Sequence, residues 1–255
     1  DLRQKTYADT LWTQENKLYY NGTSSSLSGI SGVNYEISPS HFVGLKYTLS
    51  VYPTSTSLSE INSTVFADGV FYDKWSNKEI KPESDKPLHR MNAYYNGTIG
   101  NLNIDLNADY YAANSYSASS AIEISQEFND RNIDSENKVD NRLFASKLVL
   151  SHTLAGGQLS AGSEYTNTNR KDKYMNVQNI VPSSNTAIQE QNIAFFAEYS
   201  RPISIGQFGI GLRYENINSE YFENEVLNKE QSRRYSQWFP NISFGTKIKN
   251  VGLQL

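Results

Sequence analysis

Through long stretches of the chain every second residue is apolar. In 207–215, Phe208, Ile210, Leu212 and Tyr214 share one face, while Gln207, Gly209, Gly211, Arg213 and Glu215 share the other. That is the period of a strand with one apolar side. The run 193–200 sets Ile193, Phe195, Ala197 and Tyr199 against Ala194, Phe196, Glu198 and Ser200, and 202–206 joins the two runs as a hairpin. The same alternation predicts strands through Val33, Tyr35 and Ile37, through Val43, Leu45, Tyr47, Leu49 and Val51, and through Met91, Ala93, Tyr95, Gly97 and Ile99. It is cleanest in Leu102, Ile104, Leu106, Ala108 and Tyr110, where the intervening residues Asn103, Asp105, Asn107 and Asp109 are all polar. Further strands follow in 144–154, in 159–165 and from Trp238 through Pro240, Ile242, Phe244 and Thr246 to Ile248.

The connections fall into two kinds that take turns along the chain. Short ones are expected at 38–41, 100–101, 155–157, 204–206 and 249–250. Long polar ones are expected at 52–87, with an extra hairpin around 65–75, and at 114–140, 166–190 and 216–237. The first 26 residues are polar with scattered aromatics and read as the outer end of a strand and a loop. Residues 27–255 read as alternating strands, and 1–255 as a single unit. All the short turns thus lie at one end of an up-and-down meander of about ten strands and all the long connections at the other. A transmembrane outer-membrane barrel has that asymmetry, with short turns toward the periplasm and long loops outside. Soluble sandwiches, jelly rolls and propellers share the alternation but have no reason to keep long connections at one end.

Composition supports the all-β reading. Only 38% of the 255 residues are hydrophobic and the mean hydropathy is -0.59, so a rich internal core is not expected. Eighteen Tyr and a 13% aromatic content favour strands. Cysteine is absent, which removes disulfides, thiol catalysis and thiolate metal sites. The formal charge of -4, with Lys and Arg scattered, gives no basic patch for nucleic acid. Where the alternation is best, its apolar face carries Tyr35, Tyr47, Tyr95, Tyr110, Tyr165, Tyr199, Tyr214 and Trp238. These are expected as aromatics at the lipid interface. On the opposite face Lys46, Asp105, Asp109, Arg213, Glu215 and Lys247 would line a watery lumen.

Gly211-Leu212-Arg213-Tyr214-Glu215, followed by Trp238-Phe239-Pro240-Asn241-Ile242-Ser243, resembles the barrel of TonB-dependent outer-membrane receptors, in particular the Bacteroidetes outer membrane protein beta-barrel family. Ala161-Gly162-Ser163-Glu164-Tyr165 and Ala197-Glu198-Tyr199-Ser200 are weaker echoes of the same pattern. The resemblance implies the bacterial outer membrane, surrounding lipid, a transported ligand and energy coupling to a TonB-type protein through a plug. Such receptors have about twenty-two strands around a plugged lumen. This sequence shows no plug pattern and no terminal aromatic, so it reads as a middle portion of a larger barrel. An open sheet in lipid leaves backbone groups unpaired at several kcal/mol each.

The search for chemistry is mostly negative, and the expectation is a protein that is not an enzyme and carries no cofactor or metal. His41, His89 and His152 are far apart, and neither a Walker loop nor a G-x-S-x-G elbow is present. Asp105 and Asp109 share a strand face but lie roughly 13 Å apart along it, too far for a retaining carboxylate pair. The leading expectation is therefore the barrel portion of a TonB-dependent receptor that takes up a ligand captured by its outer connections. A surface-exposed adhesin-like β-protein is the alternative. A small outer-membrane hydrolase, less favoured, would need an acid–histidine pair at His89 or His152.

Overall fold

The computed structural model describes residues 2–53, 55–248 and 251–254, and the side chains of all of these except 84, 85, 247, 248 and 251–254. Among the described residues the chain is all strand, turn and coil. Its fifteen strands are β1 Leu2–Tyr7, β2 Leu11–Thr23, β3 Leu27–Ser38, β4 His41–Val51, β5 Ser55–Ala67, β6 Val70–Asp85, β7 Leu88–Ile99 and β8 Leu102–Ser125. They continue as β9 Arg131–Leu154, β10 Gly157–Asn176, β11 Ser184–Ile203, β12 Gly206–Glu223, β13 Val226–Leu227, β14 Arg233–Ile248 and β15 Val251–Gln254. All belong to one sheet, and every pairing is antiparallel.

Three pairs of consecutive strands share single places in the sheet. β2 with β3, β4 with β5, and β6 with β7 are each one long strand interrupted near its middle, so the sheet is a nearest-neighbour meander of eleven places. The interruptions at 24–26, 52–53 and 86–87 lie side by side, and Pro53 and Pro87 cannot donate to a ladder. Thr23 faces Thr56 above the first gap while Leu27 faces Val51 below it, a slip of one residue. A second one-residue slip separates Asp85–Ser115 from His89–Ala112. The pairing between the second and third of these long strands stays in phase, with Ser55 opposite Glu83 and Ser50 opposite Leu88.

The sheet is one layer thick. Among the described residues the only buried hydrophobic side chains are Ala121 and Ala194, while Ile242 is 71% and Trp238 61% exposed. The cross-strand register puts Leu102, Leu106, Tyr110, Leu150, Leu148, Phe144, Leu159, Ala161, Ile193, Phe195, Ile210 and Leu212 on one face. A water-bathed sheet would have to cover that face with a second layer. Here the apolar run has the height of a lipid core instead. Leu102 to Tyr110 spans about 27 Å along the strand at the usual rise, and roughly 9–11 tilted residues cross a bilayer.

Beyond that band the same face changes character within one residue step. On β9 it continues past Phe144 as Arg142, Asp140, Lys138, Glu136 and Asp134, and on β10 past Tyr165 as Asn167, Asn169, Lys171 and Lys173. Yet the ladder does not stop: β8 and β9 run 24 residues each. The expected long loops at 52–87, 114–140, 166–190 and 216–237 are thus mostly strand. What remains irregular is Asp68-Gly69, 126–130, 177–183 and the turns around β13. The hairpin expected around 65–75 is present, turning where Asp68 and Gly69 take positive φ of 49° and 82°. Within the segment 1–26, expected as strand end and loop, residues 2–23 form the β1–β2 hairpin. Where both faces are wet, apolar alternation has no cause, so a strand there looks like a loop in sequence.

The short turns lie where the alternation puts them: Pro39-Ser40, Gly100-Asn101, Ala155-Gly156 and Ser204-Ile205. Ala155 and Gly156 adopt φ of 50° and 73°, the left-handed pair of a tight hairpin turn. The turn expected at 249–250 and the chain end at Leu255 lie outside the described residues.

Candidate functional site

The polar face is held together by side-chain hydrogen bonds that cross from strand to strand. Asn92 donates to Asn107 at 2.6 Å and to Asp109 at 2.7 Å, Asn96 to Asp105 at 3.2 Å, and Thr98 to Asn103 at 2.9 Å. Tyr94 donates to Asn34 at 3.0 Å and lies over Gly44, where a Cβ would strike its ring. Asp105 and Asp109 are thus acceptors in a lattice of amides, not an acid–base pair.

An ionic cluster occupies the polar face further along the sheet. Lys147 reaches Glu164 at 2.7 Å, Arg213 reaches the other Glu164 oxygen at 2.6 Å, and Arg213 also grips Glu215 at 2.6 Å. Glu164 and Arg213 sit two strands apart and meet diagonally across β11, where Ala194, 1% exposed, lies between Glu164 and Glu215 and Phe196 lies opposite Arg213. Phe196, next on the same face, takes the Lys147 ammonium at 5.4 Å and the Arg213 guanidinium at 5.9 Å over its ring. Its ring in turn lies over Gly162. Four charges are fixed with their hydrogen-bonding capacity turned toward one another, which makes a rigid wall and leaves little for a ligand.

Past the band the polar face carries Trp75, Tyr111, Tyr174, Tyr221 and Tyr235 with Glu79, Lys81, Glu83, Arg170 and Asp172. Lys81 bonds Glu83 at 2.9 Å, and that hydrogen bond raises its pKa above the ordinary lysine value. Arg170 grips Asp172 with two bonds of 2.7 and 2.8 Å. At the far tip Asp73, 5% exposed, accepts from Ser125 Oγ at 3.0 Å and from the backbone N–H groups of Gln126 and Glu127 at 3.2 and 3.3 Å. It fastens the 126–130 turn beside a hollow of about 390 Å³ lined by Trp75, Phe128 and Arg131. Asp73→Ala strips these three acceptor bonds, a loss of about 1–3 kcal/mol confined to the tip. A glutamate-specific protease should then cut after Glu127 several-fold faster, while the rest of the strand ladder keeps its protection.

The cross-strand register puts Lys46, Asp105, Asp109, Arg213 and Glu215 together on the polar face, and the backbone of Lys247 follows the same parity; its side chain lies outside the described residues. Tyr35, Tyr47, Tyr95, Tyr110, Tyr165, Tyr199, Tyr214 and Trp238 all occupy the apolar face. Sequence reasoning missed the partners of two of them. His41 Nδ1 lies 2.7 Å from the Tyr95 hydroxyl and His89 Nδ1 2.7 Å from that of Tyr47. All three histidines are on this face, with His152 opposite Leu102 and Leu159. Tyr214 and Trp238 pack at 4.8 Å. Among the described residues no group of three metal-ligating side chains converges.

A one-layer antiparallel sheet with an apolar band on one face and a hydrogen-bonded polar face is the wall of a membrane barrel. The sequence profile of the outer membrane protein beta-barrel family matches residues 96–255, and the chain belongs to that family. It is a protein of the bacterial outer membrane. Among solved structures it is similar to the unliganded ferric citrate transporter FecA, at 9% identity and a TM-score of 0.43, over 99% of this chain and 42% of that one. The ferric-catecholate import receptor Fiu from E. coli K12 in its closed form gives 11% identity and a TM-score of 0.41, over 90% and 47%. The outer membrane protease OmpT from Escherichia coli gives 9% and 0.29, over 92% and 93%. The chain spans less than half the length of FecA and Fiu. No curated protein sequence matches it.

Proposed function

We propose that this chain is part of the barrel wall of a TonB-dependent outer-membrane receptor that imports a ligand. One observation carries the reading: the strands run on past the apolar band at one end only, with both faces polar there, while the other end closes in two-residue turns. A barrel built to catch something outside the cell needs a tall wet rim on that side, and its periplasmic side needs only to return the chain. In this reading Lys46, Asp105, Asp109, Arg213, Glu215 and Lys247 face the channel, and Tyr35, Tyr47, Tyr95, Tyr110, Tyr165, Tyr199, Tyr214 and Trp238 of the apolar face meet the lipid interface. A plug supplied by another part of the protein gates the channel and couples to a TonB-type partner. The polar-face ion network is wall structure, and the protein is not an enzyme.

Two measurements test this. The native gene product in an outer-membrane fraction, detected with an antibody to this segment, should have an intact mass several times 28.8 kDa. A mass near 28.8 kDa would remove the large-receptor reading. Orientation is tested by single cysteines in a background without others. Val181→Cys, in the 177–183 loop, should react with an impermeant maleimide on intact cells several-fold faster than Ser204→Cys in the opposite turn. The reverse order would invert the barrel.

A further inference from the structure

Among the described residues five cations of the polar face, Lys81, Arg131, Lys147, Arg170 and Arg213, are answered by carboxylates. Lys46 and Arg90 are different. They sit on adjacent strands of the same face, one register step apart, and among the described residues neither makes an ion pair. Arg90 holds its guanidinium 5.8 Å from the centre of the Tyr111 ring. The two cations line a hollow of about 290 Å³ together with Asp109 and Tyr111. Tyr111 also lines a second hollow of about 310 Å³, which adjoins the row of strand interruptions and has Tyr52 and Asn141 on its wall.

From this juxtaposition we infer that the paired hollows around Tyr111 bind a hydroxylated carboxylate of the size of a single sugar acid. Arg90 and Lys46 take the carboxylate, the guanidinium offering the two-pronged geometry that a carboxylate matches. The Tyr111 ring carries the apolar side of the sugar ring. Asp109 lines the same hollow, and with one oxygen accepting from Asn92 it accepts ligand hydroxyls with the other. The combination discriminates twice: a neutral sugar leaves two cations unanswered, and a simple inorganic anion leaves that acceptor unanswered. The inference rests on the proposed barrel reading in one respect, that the polar face borders the aqueous channel.

The test uses the full native protein in detergent, titrated calorimetrically with D-glucuronate, D-glucose and inorganic phosphate. Glucuronate is expected to bind, with glucose and phosphate each at least about tenfold weaker. Arg90→Gln and Lys46→Gln should each weaken glucuronate about tenfold or more, Arg90→Lys less, and Lys173→Gln, on the opposite face beyond the band, not at all. The temperature at which each sample loses its compact, heat-modifiable band on electrophoresis reports folding alongside. Glucuronate that fails to bind a folded wild type, or binds the doubly substituted Lys46→Gln, Arg90→Gln protein unchanged, overturns the inference and leaves the barrel reading standing. A wild type that shows no compact band and stays out of the outer membrane takes both down.

Discussion

Leu148→Arg is expected to cost the folded barrel about 2–4 kcal/mol, while Val149→Arg, one residue along, costs little. The two positions are neighbours on β9 and point to opposite faces. Leu148 pairs with Leu106 and Ser163 in the middle of the apolar band. A guanidinium there lies at the depth where neither water nor head groups reach it. Val149 lies between Asp105 and Gly162 on the polar face, so the same guanidinium gains a carboxylate opposite and displaces no lipid. Urea titration of refolded protein in lipid vesicles, read by tryptophan emission, gives the difference. Equal losses at both positions would mean that the apolar face is covered by protein and not by lipid.

Gly162→Ala should cost about 1–3 kcal/mol through overpacking. A Cβ at Gly162 would strike the Leu148 carbonyl oxygen and come within 2.5 Å of the Phe196 ring. The ring is a side chain and can turn; the carbonyl is part of the β9–β10 ladder and cannot. Phe196→Ala in the same background should therefore recover only part of the loss, and it also removes the ring beneath Lys147 and Arg213. Full recovery would assign the conflict to the ring alone. By contrast Gly29→Ala, with nothing within 4 Å of the added carbon, should be close to neutral.

How much of this was legible in the sequence depends on what each face touches. Inside the band, lipid on one side and water on the other enforce alternation, so Leu102 to Tyr110 announces its face, its partners and its turn at Gly100-Asn101. Outside the band the same backbone ladder holds Glu136 against Met175 and Ser117 against Asn137 with water on both sides, and nothing in the residue types marks it as strand. That is why 114–140 reads as a loop and is a long hairpin. Face assignments of Asp105, Asp109, Arg213 and Glu215 followed from parity alone. Who bonds whom did not: the Glu164–Arg213 contact passes diagonally over an intervening strand. Nor did the His41–Tyr95 and Tyr47–His89 pairs, which join residues 54 and 42 positions apart. The left-out signal was present, since each histidine falls on the tyrosine face by the same parity.

The three interruptions at 24–26, 52–53 and 86–87 give the sheet a mechanical anisotropy. A continuous ladder resists bending across its strands because every hydrogen bond must stretch together. Along this line the ladder is broken in three adjoining places just past the apolar band, and the pairing slips by one residue on either side of the in-phase pair. Force on the β1–β2–β5–β6 tip is therefore expected to fold the sheet there, as a card folds along a score, while the pairing within the bilayer stays in register.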